Sequence, residues 1–118
     1  MKLLVTGSRN ITDLEFVTNC LDTILVEGTN FNDIIQGGAR GVDNLVKKYC
    51  LKRGIYYYTY SAEWDVYGKS AGPIRNNKMV EVCDGGIAIW DGKSKGTKQC
   101  MSALKNAGKL LEVFMYDK

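Results

Sequence analysis

Short apolar segments of strand length alternate along this chain with longer segments whose apolar residues recur at helical spacing. Helices are predicted to begin near residues 12, 41, 73 and 97, the first with the capping box Thr12-x-x-Glu15. Strand character is indicated at 2–6, 33–36, 55–60, 86–90 and 109–115. This alternation predicts a parallel sheet, because right-handed crossover helices cover both of its faces. We therefore expect one domain over residues 1–118, an α/β doubly wound parallel sheet of about five strands and four helices.

Glycine and proline set the predicted boundaries of the helices. Gly28 and Gly54 are expected to end the first two helices, and Pro73 fits the first position of the third. The segment 61–71 has neither a helical nor a strand period. It is predicted to be a long loop, and loops of this length tend to be functional.

Composition limits the classes of partner. The 118 residues are 45% hydrophobic, which is enough for a buried core. The net charge is only +3 and the lysines are scattered, so a small anionic ligand is expected rather than a nucleic acid. No signal peptide opens the sequence, and no apolar run reaches the roughly 20 residues of a membrane span. We therefore expect a cytoplasmic protein without a membrane partner.

Cysteine and histidine usage limits the chemistry. Cys20, Cys50, Cys83 and Cys100 are widely spaced without a C-x-x-C pair, which is typical of buried, reduced thiols and not of a zinc cluster or disulfide framework. The sequence has no histidine, which excludes Ser-His-Asp and Cys-His nucleophiles and the commonest metal ligand. We expect no metal and no cofactor, and any chemistry must use carboxylates, Arg, Lys or Tyr.

A glycine-rich bend follows the second predicted strand and precedes the helix that carries Asp43. It reads Gly37-Gly38-Ala39-Arg40-Gly41. Glycines let the backbone approach a ligand closely, and the first amides of a helix are unpaired donors at a positive dipole end. The spacing matches neither the G-x-G-x-x-G fingerprint nor a Walker loop. The bend is therefore either a phosphate cradle or a tight turn that packs a helix against the sheet.

Two further polar loops are predicted to meet this bend. Ligands of doubly wound sheets bind beyond the carboxyl ends of the strands, where the strand order reverses. If the order is 3-2-1-4-5, then Gly7-Ser8-Arg9 after the first strand and the loop 90–97 after the fourth lie beside the glycine bend. A crevice between the first and fourth strands is the expected binding site.

The motifs along almost the whole chain resemble those of the YspA-type branch of the SLOG superfamily. They are Gly7-Ser8-Arg9, Gly37-Gly38-Ala39-x-Gly41-x-Asp43, Ala62-x-Trp64-x-x-Tyr67-Gly68-Lys69-x-Ala71-Gly72-Pro73-x-Arg75-Asn76-x-x-Met79 and Ser94-x-Gly96-Thr97. The resemblance implies a Rossmann-like domain that binds nucleotides or nucleotide-derived ligands. The superfamily includes the Lonely-guy phosphoribohydrolases and domains that sense ADP-ribose-like signals in antiviral immunity.

The resemblance to the Lonely-guy enzymes stops at the catalytic carboxylate. Their Arg-Lys-x-x-Met element is similar to Arg75-Asn76-x-x-Met79, which implies that Arg75 clamps a phosphate or ribose. Their Gly-Gly-x-Gly-Thr-x-x-Glu element keeps Gly96 and Thr97 here, but Cys100 stands at the glutamate. A thiol does not readily replace a carboxylate that stabilises an oxocarbenium-like sugar. The comparison favours a protein that is not an enzyme.

Other acidic residues near the crevice keep a hydrolase in consideration. Asp43 is either a first-turn acid favoured by the helix dipole or a catalytic group. Asp91 belongs either to a turn or to the site, and Glu63 and Asp65 are either solvated or catalytic. If the protein is an enzyme, the candidate catalytic residues are Asp43, Glu63, Asp91 and Arg75.

The predicted ligand contacts follow from the same loops. A guanidinium fork suits phosphate, which favours Arg9 and Arg75 over simple surface charges. Trp64 and Trp90 either fill the core or stack on a base. The full predicted set is Gly7, Ser8, Arg9, Gly37, Gly38, Ala39, Arg40, Gly41, Asp43, Trp64, Lys69, Arg75, Asn76, Trp90, Asp91, Ser94, Gly96 and Thr97.

Two functional hypotheses remain. The first is a protein that senses or sequesters a nucleoside phosphate or an ADP-ribose-like signal. If it is virus-encoded, it would act in immune evasion in the host cytoplasm. The second is a nucleotide hydrolase that cleaves an N-glycosidic or phosphoester bond. A homo-oligomer is expected in either case, because a domain of this size often completes a pocket across a subunit boundary.

Overall fold

A five-stranded, all-parallel sheet with helices on both faces organises the computed structural model, which describes residues 1–117. The strands are β1 Lys2–Gly7, β2 Asp33–Gln36, β3 Tyr56–Thr59, β4 Gly85–Trp90 and β5 Leu110–Met115. Their order is β3-β2-β1-β4-β5. The predicted α/β class, doubly wound sheet and strand order are confirmed.

The helices connect successive strands as the alternation predicts. They are α1 Leu14–Ile24, α2 Val42–Arg53, the short α3 Trp64–Tyr67, α4 Ala71–Val82 and α5 Lys95–Asn106, with one 3₁₀ turn at Gly68–Ser70. Gly54 ends α2 in the left-handed conformation with φ 68°, the expected glycine cap. Within residues 1–117, no helix is both long and apolar enough to cross a membrane.

The core consists of two apolar clusters, one on each face of the sheet. Alternate residues of a strand point to opposite faces. Leu3 and Val5 of β1 therefore pack with α1 and α2, whereas Leu4 packs with α4 and α5. All three are fully buried, and burial of such a side chain contributes about 1.5–3 kcal/mol. The four cysteines are free and buried in these layers, as predicted.

Several helix ends differ from those predicted from the sequence. Asp13, not Thr12, caps α1, and its Oδ1 accepts a 3.0 Å hydrogen bond from the Phe16 amide. An Asp one residue later serves as well as a Thr, so the predicted capping box does not form. The helix also ends at Ile24 rather than near Gly28.

The segment 61–71 is largely helical, contrary to the predicted loop. It contains α3, the 3₁₀ turn and the start of α4. Pro73 is thus the third residue of α4 rather than the first. Proline is tolerated there because amides of the first turn have no acceptor within the helix. Helical periodicity is not detectable over a helix of only four residues, which explains the wrong prediction.

Candidate functional site

The carboxyl ends of β1 and β4 form the point where the strand order reverses. Gly7 pairs with Ile89 at the last position of the β1–β4 ladder, and the Ser8 amide donates a 3.1 Å hydrogen bond to the Ile89 carbonyl. The loops that follow β1, β2 and β4 all leave the sheet at this edge. The structure thus brings the three predicted loops together.

A small cavity of about 50 Å³, open to solvent, lies among these loops. Nine of the predicted contacts line it, together with two residues that were not predicted, Thr6 and Met79. Thr6 is the polar end of an apolar strand, and Met79 lies one turn beyond Arg75, so both carried a signal in the sequence. The nine predicted residues are Gly7, Arg9, Ala39, Asp43, Arg75, Asn76, Ser94, Gly96 and Thr97.

Two helices begin at this cavity, and neither has a side-chain cap. The N-cap residues are Gly41 for α2 and Ser94 for α5, and no side-chain capping bond forms at either. The Val42 amide of α2 donates a 3.2 Å hydrogen bond to the Ser8 carbonyl, so the donors that remain are the next amides of α2 and the first amides of α5. Two positive dipole ends and two sets of free amides favour an anion here.

Glycines in the bend and in β1 let α2 approach closely. Gly41 has φ 76°, and a Cβ atom there would lie 2.4 Å from the Arg9 carbonyl oxygen. A Cβ atom on Gly7 would lie 2.4 Å from Val42. Side chains at these positions would push the start of α2 away from β1. These glycines therefore determine where the α2 amides lie.

Asp43 fixes the conformation of the bend from inside α2. It is 6% exposed, and its Oδ2 accepts a 3.1 Å hydrogen bond from the Ala39 amide. Burial raises the pKa of this carboxyl to about 6, although the Ala39 amide and the nearby charge of Arg75 oppose the rise. Asp43 therefore combines a structural hydrogen bond with a proton affinity suited to acid–base chemistry near neutral pH.

Arg75 is a half-buried guanidinium held by backbone carbonyls. Its Nη1 donates to the Gly37 carbonyl at 2.6 Å and to the Tyr60 carbonyl at 3.3 Å. Its Nε donates to Asn76 Oδ1 at 2.8 Å. Burial lowers the pKa of Arg75, and the charge of Asp43 opposes this. Within residues 1–117, Nη2 makes no hydrogen bond, so its two N–H groups remain for an anion.

An amide network connects Arg75 to the start of α5. Asn76 Nδ2 donates to Gln99 Oε1 at 2.8 Å and to the Gly96 carbonyl at 3.4 Å. Gln99 Nε2 in turn donates to Asn77 Oδ1 at 3.1 Å. Sequence reasoning missed Gln99, whose only signal is its position on the same turn as Gly96 and Thr97. The network connects α4 to the first turns of α5 at the site.

Gln36 is a second residue that the sequence reasoning missed. This side chain is 1% exposed. Its Oε1 accepts from the Gly38 amide, and its Nε2 donates to Thr59 Oγ1, both at 2.5 Å. Its sequence signal was the position of a polar residue at the end of an apolar strand. Gln36 ties the glycine bend to the neighbouring strand β3.

The loop after β4 is held by Asp91 and Trp90. Asp91 Oδ1 accepts hydrogen bonds of 2.8 Å from the amides of both Lys93 and Ser94, and these bonds lower its pKa. The Asp91 amide donates to Ser8 Oγ at 3.0 Å, and Trp90 Nε1 donates to the Ser94 carbonyl at 3.0 Å. Both side chains therefore shape the loop in front of α5.

The remaining predicted residues lie around or away from the cavity. A neighbouring cavity of about 140 Å³ includes Gly37, Gly38 and Trp64 and shares Arg9, Ala39 and Arg75 with the first. Arg40 and Lys69 are exposed and line neither cavity. Glu63 lies in a separate cleft beside α4, so the structure does not bring it together with Asp43.

The comparisons with known proteins agree with this architecture. The family model described as the YspA, cpYpsA-related SLOG family matches residues 1–67. The chain belongs to the YspA, cpYpsA-related SLOG family. It is also 32% identical over 116 residues to the Gene 61 protein of Mycobacterium phage D29, an alignment that covers 91% of this chain and 90% of that protein.

Cys100, which the sequence resemblance aligns with the Lonely-guy glutamate, lies in the core of this SLOG-family chain. Cys100 is fully buried beside Met79 and Leu104, and burial raises the pKa of its thiol to about 11. The thiol is therefore neutral near pH 7. Within residues 1–117, no group of three or more Cys, Asp or Glu side chains is placed to hold a metal ion.

Proposed function

We propose that this SLOG-family chain binds a nucleotide or nucleotide-derived ligand through its phosphates and acts as a sensor or sequestering protein. The observation that carries the proposal is the meeting of two helix starts without side-chain caps with Arg9 and Arg75 at one cavity. Amides supply directional hydrogen bonds to phosphate oxygens, and the guanidinium groups supply charge. The cavity lies where doubly wound sheets bind their ligands.

The placement of the acidic groups favours binding over hydrolysis. Asp43 is committed to the Ala39 amide and Asp91 to two loop amides. Cys100 supplies a neutral thiol where the hydrolases of the superfamily have a carboxylate. A ligand held here meets donors on several sides but few groups that would attack it.

Nucleotide hydrolysis is the second candidate function. It is favoured by the raised pKa of Asp43 and by the position of this carboxyl at the cavity. A protonated carboxyl could donate to a leaving group. In that reaction Asp43 would act as the general acid.

Sequestration of a ligand needs no effector domain. The relative from a Mycobacterium phage motivates a virus-encoded binder that removes an immune signal in the host cytoplasm. A sensor would instead require a partner that responds to the bound state. Assembly into a homo-oligomer remains part of the proposal and is checked by light scattering.

The two functions are separated by recovery of the ligand. The protein is incubated with nucleoside monophosphates, NAD and cyclic ADP-ribose isomers, washed, and heated to release what it holds, and the released material is analysed by chromatography. Intact ligand in stoichiometric amount supports the binding proposal. Catalytic turnover that is lost in Asp43→Asn would support hydrolysis. Absence of any bound or converted compound would refute both.

A further inference from the structure

The cavities at the carboxyl edge form a series around Arg75. This residue lines the cavity where the strand order reverses, here called the switch-point cavity, the cavity beside Trp64 and a larger cleft of about 320 Å³. Ser61 also lines both the second cavity and the cleft. The Gly37 and Tyr60 carbonyls hold the guanidinium in place. It therefore lies between the switch-point cavity and the cleft.

The cleft has a different chemistry from the phosphate cavity. Its lining includes Ala71 and Ile74 of α4 and the aromatic side chain of Tyr67 of α3. Glu63 and Lys78 add charged groups at its rim. Apolar surface with a few polar groups at the edge is suited to a planar ring that carries hydrogen-bonding groups.

Helix α3 is almost entirely exposed to solvent. None of its four residues is buried, and Trp64 and Tyr67 are 50% and 42% exposed. Trp64 packs on Gly72 of α4, where a Cβ atom would lie 3.5 Å from the indole. The helix thus holds its aromatic side chains against α4 beside the cleft and contributes little to the core.

The polar groups at the cleft rim are uncommitted. Across residues 1–117, the Glu63 carboxylate, the Tyr67 hydroxyl and the Lys78 ammonium form no hydrogen bond or ion pair with the protein. An ionised carboxylate only accepts hydrogen bonds. It therefore selects a ligand edge that presents N–H groups.

We propose that the cleft between α3 and α4 is a nucleobase subsite, in which Tyr67 and Ile74 contact the ring and Glu63 accepts a hydrogen bond from an amino group of the base. The subsite deepens the proposed function and rests on it, because the phosphates of the same ligand occupy the switch-point cavity. It assigns Glu63 a role in selecting the base rather than in catalysis. The expected ligands are nucleotides of adenine, guanine or cytosine, whose bases carry an exocyclic amine.

The test uses probes that differ only in the base. Calorimetry measures the affinity of the full chain for AMP, GMP, CMP and ribose 5-phosphate. At least one nucleotide should bind about tenfold or more tightly than ribose 5-phosphate. Glu63→Gln should weaken that nucleotide about fivefold, and Tyr67→Ala about tenfold. The affinity for ribose 5-phosphate should stay within about twofold in both variants.

A matched control and three outcomes make the result decisive. Glu81→Gln removes an exposed carboxylate of α4 outside the cleft and should leave every affinity unchanged. Equal affinities for ribose 5-phosphate and all three nucleotides would overturn the subsite while leaving the phosphate site intact. Equal weakening of ribose 5-phosphate and nucleotide by Glu63→Gln would also overturn it. Failure of every probe to bind would refute the subsite together with the proposed function.

Discussion

The Asp43 carboxylate, in the first turn of α2, accepts a 3.1 Å hydrogen bond from the amide of Ala39, four residues earlier. A buried carboxylate on a backbone amide fixes the bend between β2 and α2 as a capping side chain would. The same bend presents its Gly37 carbonyl to Arg75 at 2.6 Å. One acidic and one basic side chain therefore hold the same five-residue turn, the first through its Ala39 amide and the second through its Gly37 carbonyl.

We expect Asp43→Asn to change the pH dependence of stability. Burial raises the pKa of Asp43 from 3.8 to about 6, so the native state binds the proton more tightly than the unfolded state does. The stability from this group is present below about pH 4 and is lost as the pH rises to about 6. The loss is on the order of 3 kcal/mol. Because Asn does not titrate, the variant should gain stability relative to the parent protein between pH 4 and 7.

Urea unfolding at several pH values measures this difference. The amide oxygen of Asn can still accept from Ala39, so the comparison isolates the charge. Parallel stability curves for the two proteins would show that the pKa of Asp43 is not raised.

Gly37→Ala should impair ligand binding through Arg75. An added Cβ atom would lie 2.5 Å from Arg75 Nη1 and 3.0 Å from Asp43 Oδ2, so the guanidinium must leave its place. Displacement of a charged hydrogen-bond donor should weaken AMP binding about tenfold or more. The crowding itself should cost about 1–3 kcal/mol of unfolding free energy. Calorimetry and urea unfolding measure the two effects.

Gly72→Ala is the matched control for this substitution. A Cβ atom there meets only the Trp64 ring at 3.5 Å, an ordinary contact, and Ala favours the helix. It should preserve stability and AMP affinity. Unchanged affinity in Gly37→Ala would show that the position of the Arg75 guanidinium does not matter for binding.

The architecture could be predicted because it depends on patterns that extend over many residues. The alternation of strands and helices gave the sheet, and the right-handed crossover rule limited the order of its strands. The edge at which Gly7, the glycine bend and Thr97 meet follows from that order. These features do not depend on any single contact.

The details of the site depended on side chains whose partners are far apart in sequence. Gln36 bonds to Thr59, and Asn76 bonds to Gln99, and no local pattern announces either pair. The short α3 has too few residues for a helical period. Asp91 and Trp90 were predicted as ligand contacts, but their roles in shaping the loop became visible only from hydrogen bonds to Ser94.

Asp91→Ala should loosen the loop that precedes α5. The carboxylate accepts the amides of Lys93 and Ser94, and its loss leaves the α5 N-terminus less well placed for an anion. We expect Asp91→Ala to weaken AMP binding several-fold, about what one or two such hydrogen bonds supply. Asp91→Asn should retain most of the affinity, since its amide oxygen accepts the same donors.

The dependence of ligand affinity on acidic pH provides a second measurement on Asp91. The loop amides lower its pKa below 3.8, so its contribution is present at neutral pH and is lost as the pH falls through that lowered value. Calorimetry of the parent protein and both variants at neutral and at acidic pH tests the loop role. Hydrolytic turnover abolished by Asp91→Asn with intact binding would instead make Asp91 catalytic.

Arg75→Ala should have the largest effect on phosphate binding of any single change considered for the cavity. The side chain is half-buried, and its Nη2 is uncommitted among the described residues, so an anion would meet a partly desolvated donor. A charged hydrogen bond contributes about 1.5–3 kcal/mol, or about 10-fold to 150-fold in affinity. Lys48→Ala, which removes an exposed charge from α2, is the control for net charge. Calorimetry with AMP and with pyrophosphate should show a large loss for Arg75→Ala and little change for Lys48→Ala. Equal losses in the two variants would mean that the protein attracts the anion by its overall charge and that Arg75 does not contact it.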